Sequence, residues 1–107
     1  MILGIEGTAH TFGVGVVGGD FSVLADVRKT YSPADGGIHP RDAAQFLGES
    51  ARAAFDEALS GAKAGWKDIE VIAFSQGPGM GPCLRTAATS ARALSARHGI
   101  PIIGVNH

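Results

Sequence analysis

The chain has 107 residues, 45% of them apolar, with nine basic and ten acidic side chains and a formal net charge of −1. That composition suits one globular domain with a core of moderate size; it excludes a disordered chain, and it excludes binding nucleic acid through the whole surface, which takes a basic excess. The single cysteine, Cys83, cannot close an internal disulfide, which fits a reducing cytoplasm.

The first third of the chain reads as strands. Ile2 to Glu6 is a short apolar run, and Phe12 to Val17 alternates large residues with glycine. A Gly18-Gly19-Asp20 turn then leads into the valine-rich run Phe21 to Lys29, which is a hairpin signal. Thr30 to His39 contains Pro33, Asp35, Gly36 and Gly37 and is predicted as a loop. Pro40 opens a helix, where its missing N–H costs nothing. Ala43, Leu47, Ala51, Ala54, Phe55, Ala58 and Leu59 recur at helical spacing, and Gly61 is its expected end. Ala62 to Asp68 connects onward to a buried strand over Ile69 to Phe74.

Ser75 to Pro82 reads as a loop, because glycine and proline fill it. A second helix is expected from Cys83 to His98, with Leu84, Ala88, Ala91 and Leu94 as its apolar stripe and Gly99 as its stop. Ile102 to Val105 closes the series as a short strand. The order is strand, strand, strand, helix, strand, helix, strand. This predicts one mixed sheet with an antiparallel start, right-handed parallel crossovers and helices across its faces, an α/β layered lobe. No apolar run approaches the roughly 20 residues that span a bilayer, and Met1-Ile2-Leu3 enters Gly4-Ile5-Glu6 without a basic leader. Neither a membrane span nor a signal peptide is expected.

Three segments could carry chemistry. The turn Glu6-Gly7-Thr8-Ala9-His10-Thr11 can offer glycine N–H groups and threonine hydroxyls to an anion, or can be a tight hairpin turn. It is not a Walker loop, since no Gly-Lys-Ser/Thr follows. Gln76 to Pro82 joins a strand to a helix N-terminus, where α/β sheets bind ligands, although the same glycines serve a purely structural crossover. His107 stands just past the last strand, as a metal ligand or as a chain end. Of the other histidines, His39 is expected to cap a helix or lie exposed. His98 suits the negative end of the second helix, and His10 lies in the glycine turn. Cys83 at a helix start is expected as a buried small residue, and Arg85 stands against the dipole in a first turn.

Taken together, four blocks resemble one family. Gly4-Ile5-Glu6-Gly7-Thr8-Ala9-His10-Thr11-Phe12-Gly13-Val14-Gly15 resembles the opening of the archaeal and eukaryotic branch of the tRNA threonylcarbamoyladenosine synthase family, which includes the KEOPS catalytic subunit. Gly37-Ile38-His39-Pro40-Arg41 with Ala43-Ala44 is similar to its second block, and Phe74 to Gly79 with Gly81 to Arg85 to its third. Pro101 to His107 is similar to its fourth. The match runs in order along nearly the whole chain.

The resemblance implies the first lobe of an actin-like ATPase (ribonuclease H-like) fold, with a second lobe outside residues 1–107. It implies transfer of a threonylcarbamoyl group from its adenylate to N6 of an adenosine beside the tRNA anticodon. It also implies a divalent metal, iron or zinc, with His107 as one ligand, and ATP or threonylcarbamoyl-adenylate with Gly7 and Thr8 on its phosphate side. Its partners would be a small dimeric KEOPS subunit on the helices, a kinase subunit and tRNA, in the cytoplasm. No catalytic residue is assigned. Gln45-Phe46-Leu47 departs from the family, which often has histidines there. With one metal ligand the chain is expected to be inactive alone. The other reading is a non-catalytic partner-binding module of the same complex; a peptidase is disfavoured because no His-Glu-x-x-His is present.

Overall fold

A computed structural model describes all residues from Met1 to His107. Strand β1 spans Ile2–Glu6, β2 Thr11–Val17 and β3 Val23–Thr30. Helix α1 spans Pro40–Ala62 and a 3-10 turn Trp66–Asp68, followed by β4 Val71–Gly77, α2 Gly81–His98 and β5 Ile102–Asn106. The strands form one mixed sheet in the order β3-β2-β1-β4-β5. Strand β2 is antiparallel to both β1 and β3, while β4 is parallel to β1 and to β5.

Period-two alternation decides which side of the sheet carries the core. Leu3 and Ile5 from β1, Phe12, Val14 and Val16 from β2, and Ile72 and Phe74 from β4 are all buried. They meet Ala43, Leu47, Ala54 and Ala58 of α1 and Cys83, Ala87 and Ala91 of α2 in one cluster. Phe12 is fully buried and sets its ring edge-on to Phe55, 5.6 Å between centroids at 86°. No buried side-chain nitrogen or oxygen lacks a hydrogen-bond partner. At the margin Lys29 Nζ reaches Glu57 Oε1 at 2.6 Å, tying β3 to α1. A part-exposed pair of this kind adds under about 1 kcal/mol, so apolar burial holds the layers together.

Both helices lie on the same face of the sheet and pack on each other, rather than being spread over its two faces. The strand order explains this departure from expectation. Strand β3 runs parallel to β4 and β5, and both crossovers step the same way across the sheet. Two right-handed crossovers that step in one direction must put their helices on one side. The opposite face is bare, and along it run Gly4, Gly13, Gly15 and Ala73 in a shallow depression of about 440 Å³.

Several boundaries differ from those expected. Phe21 belongs to the turn between β2 and β3 rather than to β3: it has φ 66° and is 90% exposed. The turn is held by Asp20, whose carboxylate accepts from the N–H and hydroxyl of Ser22, and these bonds keep that carboxyl below its usual pKa. Gly61 stays helical, and α1 ends instead at Lys63 in the left-handed region, φ 53°. Ile69 and Glu70 precede β4, whereas Ser75 to Gly77 continue it, because Ser75 and Gly77 pair with Val105 and Asn106 around a bulge at Gln76. Helix α2 starts at Gly81, with Pro82 in its first turn. Its buried stripe is Cys83, Ala87 and Ala91 rather than Leu84, Ala88 and Leu94. Small side chains take the inward positions because α2 runs close to the β1 turn: a Cβ on Gly7 would stand 3.1 Å from that of Ala87.

Candidate functional site

The carboxyl ends of β1, β4 and β5 lie side by side in the sheet, and the three segments singled out in the sequence leave from them. Main-chain hydrogen bonds join those segments. The N–H of Met80 donates to the Thr8 carbonyl at 2.7 Å, and the N–H of His107 donates to the Gly77 carbonyl, also at 2.7 Å. Gly79 crosses directly over Thr8, and any Cβ there would lie 2.7 Å from the Thr8 carbonyl oxygen, which is why this position takes glycine. Gly77 itself has φ 153° and precedes a cis peptide to Pro78. The Gly7-Thr8 turn, the Gln76–Pro82 loop and His107 are therefore brought together at one end of the sheet.

Within this cluster Glu6, which local sequence marks only as the start of the turn, is the hub. Its Oε1 accepts the Thr8 N–H at 2.8 Å and the Thr8 hydroxyl. The same oxygen lies 3.8 Å from His107 Nδ1. The signal available in the sequence was a carboxylate two residues before a hydroxyl in a tight turn, a pattern that lets the side chain bond its own backbone. The N–H of Gly7 is also engaged, by Ser75 Oγ at 3.0 Å. Thr8 is 9% exposed. The donors of this turn are thus committed within the protein, and Gly7 is needed for the approach of α2 whatever else it does.

The remaining candidates separate. Cys83 is fully buried against the Pro40 carbonyl, and burial, with the Glu6 charge beside it, pushes its thiol pKa up. That leaves it protonated and inert, a core residue. His39 begins α1 without a side-chain cap bond and lies exposed, as do His10 and Arg85. His98 stacks on Trp66, 4.8 Å between centroids at 15°, a contact invisible in sequence because the two stand far apart in the chain. The large exposed apolar side chains, Ile2, Phe21, Val23, Ile103 and Val105, lie on strands and the β2–β3 turn, with none on the helices. No helix is long and apolar enough to cross a membrane.

As part of a metal site the cluster fits incompletely. An imidazole backed by a carboxylate has the form of a metal-binding histidine with its supporting partner. Yet no group of three or more histidine, cysteine, aspartate or glutamate side chains comes together anywhere in these 107 residues. A metal held through His107 would draw further ligands from elsewhere.

Comparison with known proteins gives the fold and the family. Two solved structures share the fold over 98% of this chain: YeaZ from Pseudomonas aeruginosa, with TM-score 0.75, 17% identity and 44% of its own length covered, and RuvC from Thermus thermophilus in complex with a Holliday junction substrate, with TM-score 0.60, 16% identity and 63% covered. At such identities they establish the fold alone: an α/β lobe of the actin-like, ribonuclease H-like kind with a mixed sheet. In sequence, the tRNA N6-adenosine threonylcarbamoyltransferase of Thermococcus sibiricus is 55% identical over 105 residues, and that of Aeropyrum pernix is 50% identical over 108. A probable bifunctional tRNA threonylcarbamoyladenosine biosynthesis protein of Methanosarcina barkeri is 54% identical over 109 residues. The match takes in 98–100% of this chain but spans only 32%, 31% and 20% of those three proteins. The family model described as TsaD, tRNA N6-adenosine threonylcarbamoyltransferase, matches residues 22–107, and the chain belongs to that family.

Proposed function

We propose that residues 1–107 form the amino-terminal lobe of a transferase that moves threonylcarbamoyl from its adenylate to N6 of an adenosine beside the tRNA anticodon, its second lobe lying outside this stretch. The observation that supports this most is the meeting of the Gly7-Thr8 turn, the Gly77–Met80 loop and His107 at the carboxyl ends of adjacent strands, where α/β sheets bind their ligands. In this reading His107 is one ligand of a divalent metal, iron or zinc, completed by residues of the second lobe. The metal, when bound, would polarise the adenylate substrate. Gly7 and Thr8 lie on the phosphate side of the nucleotide, ATP or threonylcarbamoyl-adenylate. A phosphate taken up there must exchange with the bonds now made to Ser75 and Glu6. The KEOPS small dimeric subunit and kinase, together with tRNA, are the proposed partners, and the cytoplasm the proposed location.

The isolated chain should be inactive, because its donors do not complete a metal site. The test is a graft. Residues 1–107 replace the matching stretch of the Thermococcus sibiricus relative, and threonylcarbamoyl transfer to tRNA is measured for the graft and for the chain alone. We expect transfer by the graft and none by the chain. A folded but inactive graft, or turnover by the chain alone, overturns the reading. The alternative, a non-catalytic module that docks a partner on its helices, gains nothing from the surface, since the exposed apolar residues avoid α1 and α2.

A further inference from the structure

We propose that Glu6 is a positioning residue: its carboxylate selects the Nδ1–H tautomer of His107 and leaves Nε2 as the ring's only acceptor nitrogen. The argument starts from how firmly each partner is placed. His107 is anchored by its own N–H on the Gly77 carbonyl at 2.7 Å, which fixes where its side chain leaves the sheet. Glu6 ends β1, two strands away, and its Oε1 is pinned by two bonds from Thr8. Between these fixed points His107 Nδ1 faces Glu6 Oε1 at 3.8 Å, close to but outside hydrogen-bond length, so a small rotation of the ring closes the contact.

The chemistry of the two groups then decides the tautomer. A carboxylate only accepts hydrogen bonds. The imidazole nitrogen turned toward it must therefore carry hydrogen, and in a neutral ring the other nitrogen must hold the lone pair. A histidine that binds a metal uses this division of roles, with one nitrogen donating to a carboxylate, a carbonyl or water and the other free to coordinate. Both side chains are part exposed, His107 at 47% and Glu6 at 37%, so solvent weakens the preference to a bias. No other histidine comes within ion-pair reach of a carboxylate, so His10 and His39, both exposed, serve as internal references.

This deepens the reading of His107 as a metal ligand and rests on it for its purpose, but the tautomer is a property of the pair and can be measured with neither metal nor substrate. The chain is labelled with 15N, and the long-range proton–nitrogen spectrum of its four histidines is recorded above the imidazole titration range. We expect His107 to be mostly Nδ1–H while His10 and His39 show the Nε2–H form usual in water. Glu6→Ala should return His107 to Nε2–H with the amide spectrum otherwise that of a folded chain. Should Glu6→Ala loosen the turn, Glu6→Gln, which keeps an acceptor for Thr8, should still lower the Nδ1–H share. A wild-type His107 that is mostly Nε2–H, or a share that neither variant moves, overturns the proposal. An inactive graft with His107 still in the Nδ1–H form would sink the transferase reading and leave this one standing. An active graft with His107 in the Nε2–H form would do the reverse.

Discussion

The two faces of the sheet are built from the same strands by opposite rules. On the helix-covered face Leu3, Phe12, Val16 and Ile72 are wholly buried, each filling space against α1 or α2. On the other face the residues between them are Gly4, Gly13, Gly15 and Ala73, which leave little beyond main chain. Strand β2 shows the contrast within five residues, as Phe12-Gly13-Val14-Gly15-Val16 sends every large side chain one way and every glycine the other. Stability comes from the first face. The second leaves the sheet open along the depression that ends at Glu6, Ser75 and His107, with Ile2, Ile103 and Val105 exposed on the same side.

Three substitutions probe that contrast. Phe12→Ala removes a fully buried ring from the covered face and should lower stability by about 3–5 kcal/mol, read from urea unfolding. A loss below about 1 kcal/mol would mean that the core is not where the alternation puts it. Gly79→Ala sets a methyl against the Thr8 carbonyl and should cost about 1–3 kcal/mol by the same measurement, because main chain cannot yield as a flexible side chain would. No loss there would show that the turns at β1 and β4 are not locked together. Gly15→Ala lies on the bare face, where the new Cβ meets only the Ala25 carbonyl at 3.6 Å. It should leave stability within about 0.5 kcal/mol or raise it slightly. A clear loss would show that the open face is covered in solution.

The elements themselves were legible because local chemistry announced them: glycine between large residues in β2, proline at the start of α1, Gly99 after α2. What escaped was set by pairing across the chain. Ser75 and Gly77 look like loop until Val105 and Asn106 arrive to pair with them, and helical spacing alone could not say which side of α2 turns inward. The side on which the helices pack follows from strand order, which no local pattern states. At the site, His107 and the two glycine turns can each be read from local sequence as standing at a strand end. The role of Glu6 cannot, because its importance lies in what approaches it, with the histidine about a hundred residues further along the chain. The pairing of Trp66 with His98 was hidden for the same reason.

The staples that align the three strand ends, from Met80 to Thr8 and from His107 to Gly77, run from backbone to backbone. Such a frame survives mutational drift, since most replacements at Thr8, Met80 or His107 would keep both bonds. The identity of the groups displayed there can change over evolutionary time while their mutual placement persists. Glycine at positions 77 and 79 is the exception, where the alignment itself is written in the lack of a side chain.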